Sequence, residues 1–359
     1  MFWPDTISKK LGVKYPVVQA PMFGMSTPQM VAAAGKADCL GSLALADLSA
    51  DQSVELIRET RKLTDRPFAV NIFAHRIPEV TDALRDKYHK TKQFIEDLAR
   101  ENNIHVTLPE LGAIQVKSYH DLIHPIIQEN CKILSFIFGS LDDESIQKLK
   151  ANGTVLIGTC TSVEEALILE RSGTDIICVQ GIEAGGHRGA FDAYHIPQIG
   201  GLSLLSQVYD HVKVPLIYAG GLYNAGTVHA AKDLGAQGFQ VGSLLLASEE
   251  SALRPFEKER LKKVKEEDIM LTRSFSGRFA RGIRNKYIET VENSGYILPY
   301  PYQNKLTNAL RAAAKSLQNP EFISLWVGQS IHQYSEISTE KILESLIREC
   351  EGQSNMLSM

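Results

Sequence analysis

The chain has 359 residues, 44% hydrophobic and 22% charged, with a formal net charge of -4. This is ordinary globular composition, long enough for one large α/β domain with an appendage or for two domains. The charge balance excludes a nucleic-acid footprint, and no window approaches the roughly 18 apolar residues of a membrane span.

The cysteines are Cys39, Cys131, Cys160, Cys178 and Cys350. Their odd number, wide spacing and lack of a C-x-x-C pair argue against a disulfide framework and against a metal site. Cys39 and Cys178 sit in apolar runs and read as small core residues. The first ten residues lack a basic stretch followed by an apolar one, so no secretory signal is expected and a soluble cytoplasmic protein is.

Short apolar runs alternate with helical patterns along the chain. Strands are expected at 17–19, 40–43, 68–71, 133–137, 154–157, 176–179, 216–218 and 238–241. A helix over 27–34 has Pro28 in its first turn. Ser162-Val163-Glu164-Glu165 reads as a capping box, opening a helix that runs to Arg171 and stops at Gly173. A further helix over 227–234 ends at Gly235. Strand–helix alternation implies a parallel sheet, and eight repeats imply a closed (β/α)8 barrel. An open doubly wound sheet is the alternative. The region 77–115 is irregular and is expected to hold an extra helix.

After Leu246 the pattern changes. Residues 248–271 are highly charged and helical in period, 274–286 are rich in glycine and arginine, and the prolines in 298–302 forbid regular helix. We expect a barrel over 1–246, completed by closing helices within 304–359. Residues 247–303 are expected to form a small, mainly helical second domain or lid. The polar tail from Gly352 is expected to fray.

Four segments fall at the ends of expected strands, which share one face of a barrel. Gln19-Ala20-Pro21-Met22 makes an apolar turn, either a plain proline turn or a surface for a flat ring. Asn71 offers a donor and an acceptor to a ring edge or phosphate, or forms a turn. The third segment, Gln180 to Gly189, reads QGIEAGGHRG. Its glycines permit close backbone approach and positive φ, Gln180 suits a ring edge or a ribityl hydroxyl, and the amides of Gly185 and Gly186 suit a phosphate. His187, an imidazole able to move a proton near neutral pH, sits inside this loop. The fourth is a pair: Ala219-Gly220-Gly221 and Gln240-Val241-Gly242-Ser243. Neighbouring loops of this kind in a barrel offer amides to a phosphate, or are simply tight turns. No G-x-G-x-x-G follows the first strand, and no P-loop, H-E-x-x-H or G-x-S-x-G is present. Phosphate binding without those motifs points to a mononucleotide such as FMN.

Together these segments resemble the nitronate monooxygenase family, formerly the 2-nitropropane dioxygenases. The resemblance continues through TRSFSGRFARGIRN at 272–285, PYPYQ at 299–303 and LWVGQ at 325–329, and so spans nearly the whole chain. It implies a barrel that holds FMN through Ala20, Pro21, Met22, Asn71, Gln180, Gly185, Gly186, Gly220, Gly221, Gln240, Val241, Gly242 and Ser243. It implies His187 as catalytic base. The implied activity oxidises alkyl nitronates, such as those of 3-nitropropionate or 2-nitropropane, with O2 to carbonyl compounds and nitrite. The implied partners are these small molecules and O2, with no nucleic acid or membrane, and with a homo-oligomer open. Some members carry a His-Lys pair at the end of the fifth strand. This chain has Gly158-Thr159 there, so no lysine contact to the flavin is expected. Tyr300 and Tyr302 either line the substrate side or pack between domains. Two other readings remain. One is a flavin-dependent enoyl-acyl-carrier-protein reductase using NAD(P)H, which shares the glycine–histidine motif. The other is a catalytically silent barrel subunit.

Overall fold

A computed structural model describes residues 3–331 and 334–352. The expected tail beyond Gly352 lies outside the described residues. The strands are β1 (Val17–Gln19), β2 (Gly41–Ala44), β3 (Phe68–Phe73), β4 (Ile133–Ile137), β5 (Val155–Cys160), β6 (Ile176–Gln180), β7 (Gly186–His187), β8 (Leu216–Ala219), β9 (Gly238–Val241), β10 (Ile269–Thr272) and β11 (Ala280–Ile283). The helices begin with α1 (Asp5–Leu11), α2 (Pro28–Lys36), α3 (Ala50–Leu63), α4 (Asp82–Glu101), α5 (His120–Gln128), α6 (Asp143–Ala151) and α7 (Val163–Arg171). They continue with α8 (Gly201–His211), α9 (Ala225–Asp233), α10 (Pro255–Lys262), α11 (Lys286–Val291), α12 (Tyr302–Ser316) and α13 (Thr339–Cys350).

Eight strands pair in the order β1-β9-β8-β6-β5-β4-β3-β2, all parallel. A parallel bridge between Val18 and Leu40 joins the two ends, with Gln19 N donating to Leu40 O at 2.9 Å. The cylinder is therefore closed, and the open sheet is excluded. Every expected strand is a barrel strand, because a strand buried on both faces reads as a continuous apolar run.

Side-chain alternation divides the core into two layers. Val18, Ala69, Ile133, Ile157, Ile176, Cys178, Ile217 and Ala219 fill the barrel, and Ile7 and Leu11 of α1 join them. The intervening residues, among them Val70, Leu134, Leu156, Ile177, Val179, Tyr218, Phe239 and Val241, pack outward against the helices. All five cysteines are free and buried.

Two expectations need correction. Ser162 does accept from Glu165 N at 3.1 Å, but the Glu165 carboxylate does not complete the box. It accepts instead from Thr161 and from Phe191 N at 2.7 Å, tying the loop after β7 to α7. The charged stretch 248–271 is α-helical only over Pro255–Lys262, with a single 3-10 turn at Glu266–Asp268. Ile269–Thr272 pairs antiparallel with β11, which draws this apolar run into a strand. A second, three-stranded sheet of order β10-β11-β7 results, which no local sequence pattern announces. The long α4 supplies the extra helix expected in 77–115.

The contact between α2 and β2 leaves no room for a side chain at Gly41. An added Cβ would lie 2.5 Å from Val31 O and 2.9 Å from its Cα. Overpacking of this kind costs about 1–3 kcal/mol. Gly41→Ala should therefore lower the urea midpoint at unchanged m-value. An unaltered midpoint would show that the helix can move away.

Candidate active site

The inward-facing residues at the C-terminal ends of the strands converge on one cavity of about 450 Å³. Its floor and walls include Asn71, Ser135, Thr159, Cys178, Gln180, Ala219 and Gln240, the inward positions of six strands. Of the residues singled out from the sequence, Ala20, Pro21, Met22, Asn71, Gln180, Gly185, Gly186, His187, Gly220, Gly221, Gln240, Gly242 and Ser243 all line it. Val241 does not. Strand alternation turns its side chain outward into the helix layer, where it is fully buried.

The turns after β8 and β9 are neighbours because their strands pair, with Ala219 opposite Gln240. Gly220 and Gly221 stand at φ 131° and 67°. Their amides, and that of Ser243 at the start of a 3-10 turn, have no hydrogen-bond partner among the described residues. These donors suit a phosphate. The Asn71 amide nitrogen donates to Ser135 Oγ at 2.9 Å, leaving its oxygen for the cavity. The Gln240 side chain has no partner among the described residues and projects into the same space.

Gln180 does more for the protein than expected. Its oxygen accepts from Arg188 Nη1 at 3.0 Å and Gly189 N at 2.8 Å, and its nitrogen donates to His187 O at 3.0 Å. Arg188, almost wholly buried, also donates from Nη1 to the carbonyls of Gln180 and Gly181. The glycine–histidine loop is thus braced from behind, and one Gln180 N–H remains for a ligand. Its middle is no free loop either: Gly186 and His187 pair with Arg281 and Ala280 of β11.

His187 sits in an aromatic cage. Its ring centre lies 5.6 Å from Trp326, 5.7 Å from Phe138, 6.3 Å from Phe73 and 6.5 Å from Tyr300. Burial, with the nearby Arg278 and Arg311 guanidiniums, pushes the imidazole down from 6.5 to about 3. It is therefore neutral at physiological pH. Tyr300 faces the cavity, whereas the Tyr302 hydroxyl donates to Pro78 O at 2.8 Å and packs in a second apolar cluster.

One face of α12 forms another wall: Asn304, Asn308, Arg311 and Lys315. Arg311 Nη2 donates to Asn304 O and Oδ1, each at 2.9 Å, while its Nε has no partner. Burial lowers this guanidinium to about 10, which leaves it charged. A strap over 326–330 closes the rim. Gly328 N donates to Ser243 Oγ at 2.8 Å, Gln329 N to Glu183 O at 3.0 Å, and Ser330 Oγ to Gly221 O at 3.1 Å. Trp326, Arg311, Ser330, Phe73 and Phe138 were not singled out from sequence. Trp326 lies within a motif that was quoted, but nothing local tells its direction. No cluster of His, Cys, Asp or Glu among the described residues could hold a metal ion, and no described helix is long and apolar enough to cross a membrane.

Unpartnered glycine amides, carboxamide groups and a caged imidazole around one barrel mouth mark the class as a (β/α)8 barrel with a ligand site at the C-terminal ends of its strands. The nitronate monooxygenase family model matches residues 5–349. A probable nitronate monooxygenase from Bacillus subtilis is 39% identical, over 95% of this chain and 97% of its own. A second, from Staphylococcus saprophyticus, is 36% identical over 94% and 95%. The crystal structure of nitroalkane oxidase from Streptomyces ansochromogenes superimposes with a TM-score of 0.86 at 32% identity, covering 98% of this chain and 99% of that one. FabK from Thermotoga maritima reaches 0.73 at 26% identity, covering 96% of each. The chain belongs to the nitronate monooxygenase family and is a flavin oxidoreductase of that type.

The strap leans on Gly185, where a Cβ would meet Gly328 N at 2.5 Å and the Val327 carbonyl carbon at 2.6 Å. Both obstacles are backbone. Gly185→Ala should lift the strap from the rim, cost about 1–3 kcal/mol of stability and lower cofactor occupancy. Thermal unfolding and the flavin-to-protein absorbance ratio would check this. Full occupancy at unchanged stability would show that the strap is dispensable.

Proposed function

We propose that this protein binds FMN in the barrel mouth and oxidises alkyl nitronates with O2 to carbonyl compounds and nitrite. The observation that carries this reading is the convergence of unpartnered rim amides, the carboxamides of Asn71, Gln180 and Gln240 and a caged neutral imidazole on one cavity. The amides of Gly220, Gly221 and Ser243 take the single phosphate. Gly185, Gly186 and Gly242 allow the tail to pass, and Ala20, Pro21 and Met22 lie against the flat ring. Asn71, Gln180 and Gln240 bond its polar edge. When bound, FMN supplies the electron acceptor for the nitronate.

For a neutral nitroalkane, His187 takes the α-proton and leaves a nitronate. The aromatic cage excludes water from this transfer, and Arg278 and Arg311 favour the anion that forms. Residues 247–303 act with the strap as a cap on the substrate side. Arg311, whose Nη1 and Nε donate to no described residue, suits a carboxylate at the far end of the substrate, which favours propionate 3-nitronate over simple alkyl nitronates.

An absorption spectrum of the purified protein, followed by anaerobic titration, tests the reading. Bleaching by propionate 3-nitronate but not by NADH supports it. Rapid bleaching by NADH alone would favour the enoyl reductase activity instead. Two substitutions sharpen the assignment. His187→Asn should depress turnover of neutral nitroalkanes by about 100-fold or more, the usual contribution of a positioned base. Turnover of preformed nitronate should fall far less, and an equal loss on both would remove the base role. Arg311→Gln should raise KM for propionate 3-nitronate by about 10- to 100-fold, the worth of one charged hydrogen bond. Its effect on the nitronate of 2-nitropropane should be small.

A further inference from the structure

The segment reading TRSFSGRFARGIRN supplies Arg278, Ala280 and Arg281 to the surroundings of His187, and it also touches the imidazole directly through Ser276. Ser276, 1% exposed, places its Oγ 2.8 Å from His187 Nε2. The same oxygen lies 3.0 Å from Arg278 O and 3.3 Å from Arg278 N. Counting hydrogens favours one direction for these bonds. The Arg278 amide only donates, so it takes one lone pair of Oγ. The Arg278 carbonyl only accepts, and no other described group donates to it, so it takes the single hydroxyl hydrogen. With that arrangement the second lone pair is what remains for the imidazole, and it takes a hydrogen bond from a proton on Nε2. A neutral ring has one N–H. Nδ1 is then the bare nitrogen, and it has no partner among the described residues, while the ring lines the cavity.

We propose that Ser276 is a positioning residue that fixes His187 in the Nε2–H tautomer and so makes Nδ1 the proton-accepting atom. This rests on the reading of His187 as the base. A hydroxyl that was free to turn could not impose a tautomer, but this one is built in. Gly277, at φ 85°, lets the turn press against 298–300, where a Cβ would lie 2.4 Å from Leu298 O and 2.7 Å from Tyr300 N. Gly277 N donates to Arg273 O at 2.7 Å. From α12, Gln303 Nε2 donates to Ser274 O at 2.7 Å and Thr307 Oγ1 to Phe275 O at 2.6 Å. Ser276 is thus held before any ligand arrives. Accepting from Nε2–H, it also stabilises the imidazolium that forms when Nδ1 takes the substrate proton.

Two measurements on the flavin-loaded enzyme test this. The first is a long-range proton–nitrogen NMR correlation on protein labelled with 15N-histidine, with His187 assigned by comparison with His187→Asn. The expected pattern is a protonated Nε2 and a bare Nδ1. A proton on Nδ1 in the wild-type enzyme overturns the proposal, whatever the substrate proves to be. The second compares Ser276→Ala with Ser276→Thr. In Ser276→Ala the His187 signals should shift toward a mixture of tautomers. Its kcat on neutral nitroalkane should fall by about tenfold more than its kcat on preformed nitronate, a part of what a positioned base supplies. Ser276→Thr keeps the hydroxyl and should restore both readouts. A Ser276→Ala enzyme with the wild-type tautomer, or with equal losses on the two substrates, overturns the positioning role. If Ser276→Ala does not fold, the wild-type spectrum and Ser276→Thr still decide. If the wild-type enzyme turns over neither substrate, the functional reading fails, while the NMR pattern still decides the tautomer.

Discussion

The site depends on one contact between backbones. Gly185, in the loop that carries His187, and Gly328, in the strap, approach so closely that neither has space for a side chain. A Cβ on Gly185 would sit 2.5 Å from Gly328 N, and one on Gly328 would sit 2.9 Å from Glu183 O. Because the two chains touch, the strap can reach the rim turns and bond Ser243, Glu183 and Gly221 together. It also brings Trp326 over the imidazole. Separate those backbones and three loops lose their shared clasp, while the barrel beneath keeps its own core.

Glu183 supports the same rim from below. Its carboxylate accepts from the Tyr218 hydroxyl and from Gly201 N at 3.0 Å, and its stem lies 3.3 Å from where Cβ atoms of Gly220 and Gly221 would be. The glycine turn after β8 is therefore shaped by packing within the protein itself. Preorganised donors of this kind need little reorganisation when the ligand arrives, which is where binding sites gain affinity.

The barrel was legible in the sequence because its strands are buried on both faces and read as unbroken apolar runs. The site was legible wherever it lies at the end of such a run, as with Asn71, Gln180 and Gln240. Val241 shows the limit of that logic: a motif was taken whole, yet alternation points its side chain away. Residues 248–271 show another, since charge at helical spacing concealed the short strand that β11 recruits at Ile269–Thr272. The wall made by Arg311 and the contact from Ser276 come from segments about 90 to 120 residues beyond His187. No local pattern reports that distance being closed. The stretch 274–286 reads as rich in glycine and arginine, but the partner that Gly277 fits against, 298–300, is a tertiary matter.

The electrostatics of the cage set two demands that one arrangement meets. The base role proposed for His187 needs an unprotonated ring, and burial beside Arg278 and Arg311 holds the imidazole near 3. Such a base is intrinsically weak, and on its own would leave the proton on carbon. The same guanidiniums that depress it also favour a nitronate beside them, so the anion gains what the imidazolium loses. The transfer then yields two opposite charges in a dry cage, where their mutual attraction is far stronger than in water. Arg278 is kept in place by its own packing, with its guanidinium carbon 4.1 Å from the Phe138 ring centre and Nη2 bonded to Ala190 O. Replacing the cage aromatics by small residues would admit water, raise the imidazole toward its ordinary value and weaken the cations' hold on the nitronate together. The weak base and the stabilised anion are consequences of the same dry, cationic surroundings, and neither can be tuned without the other.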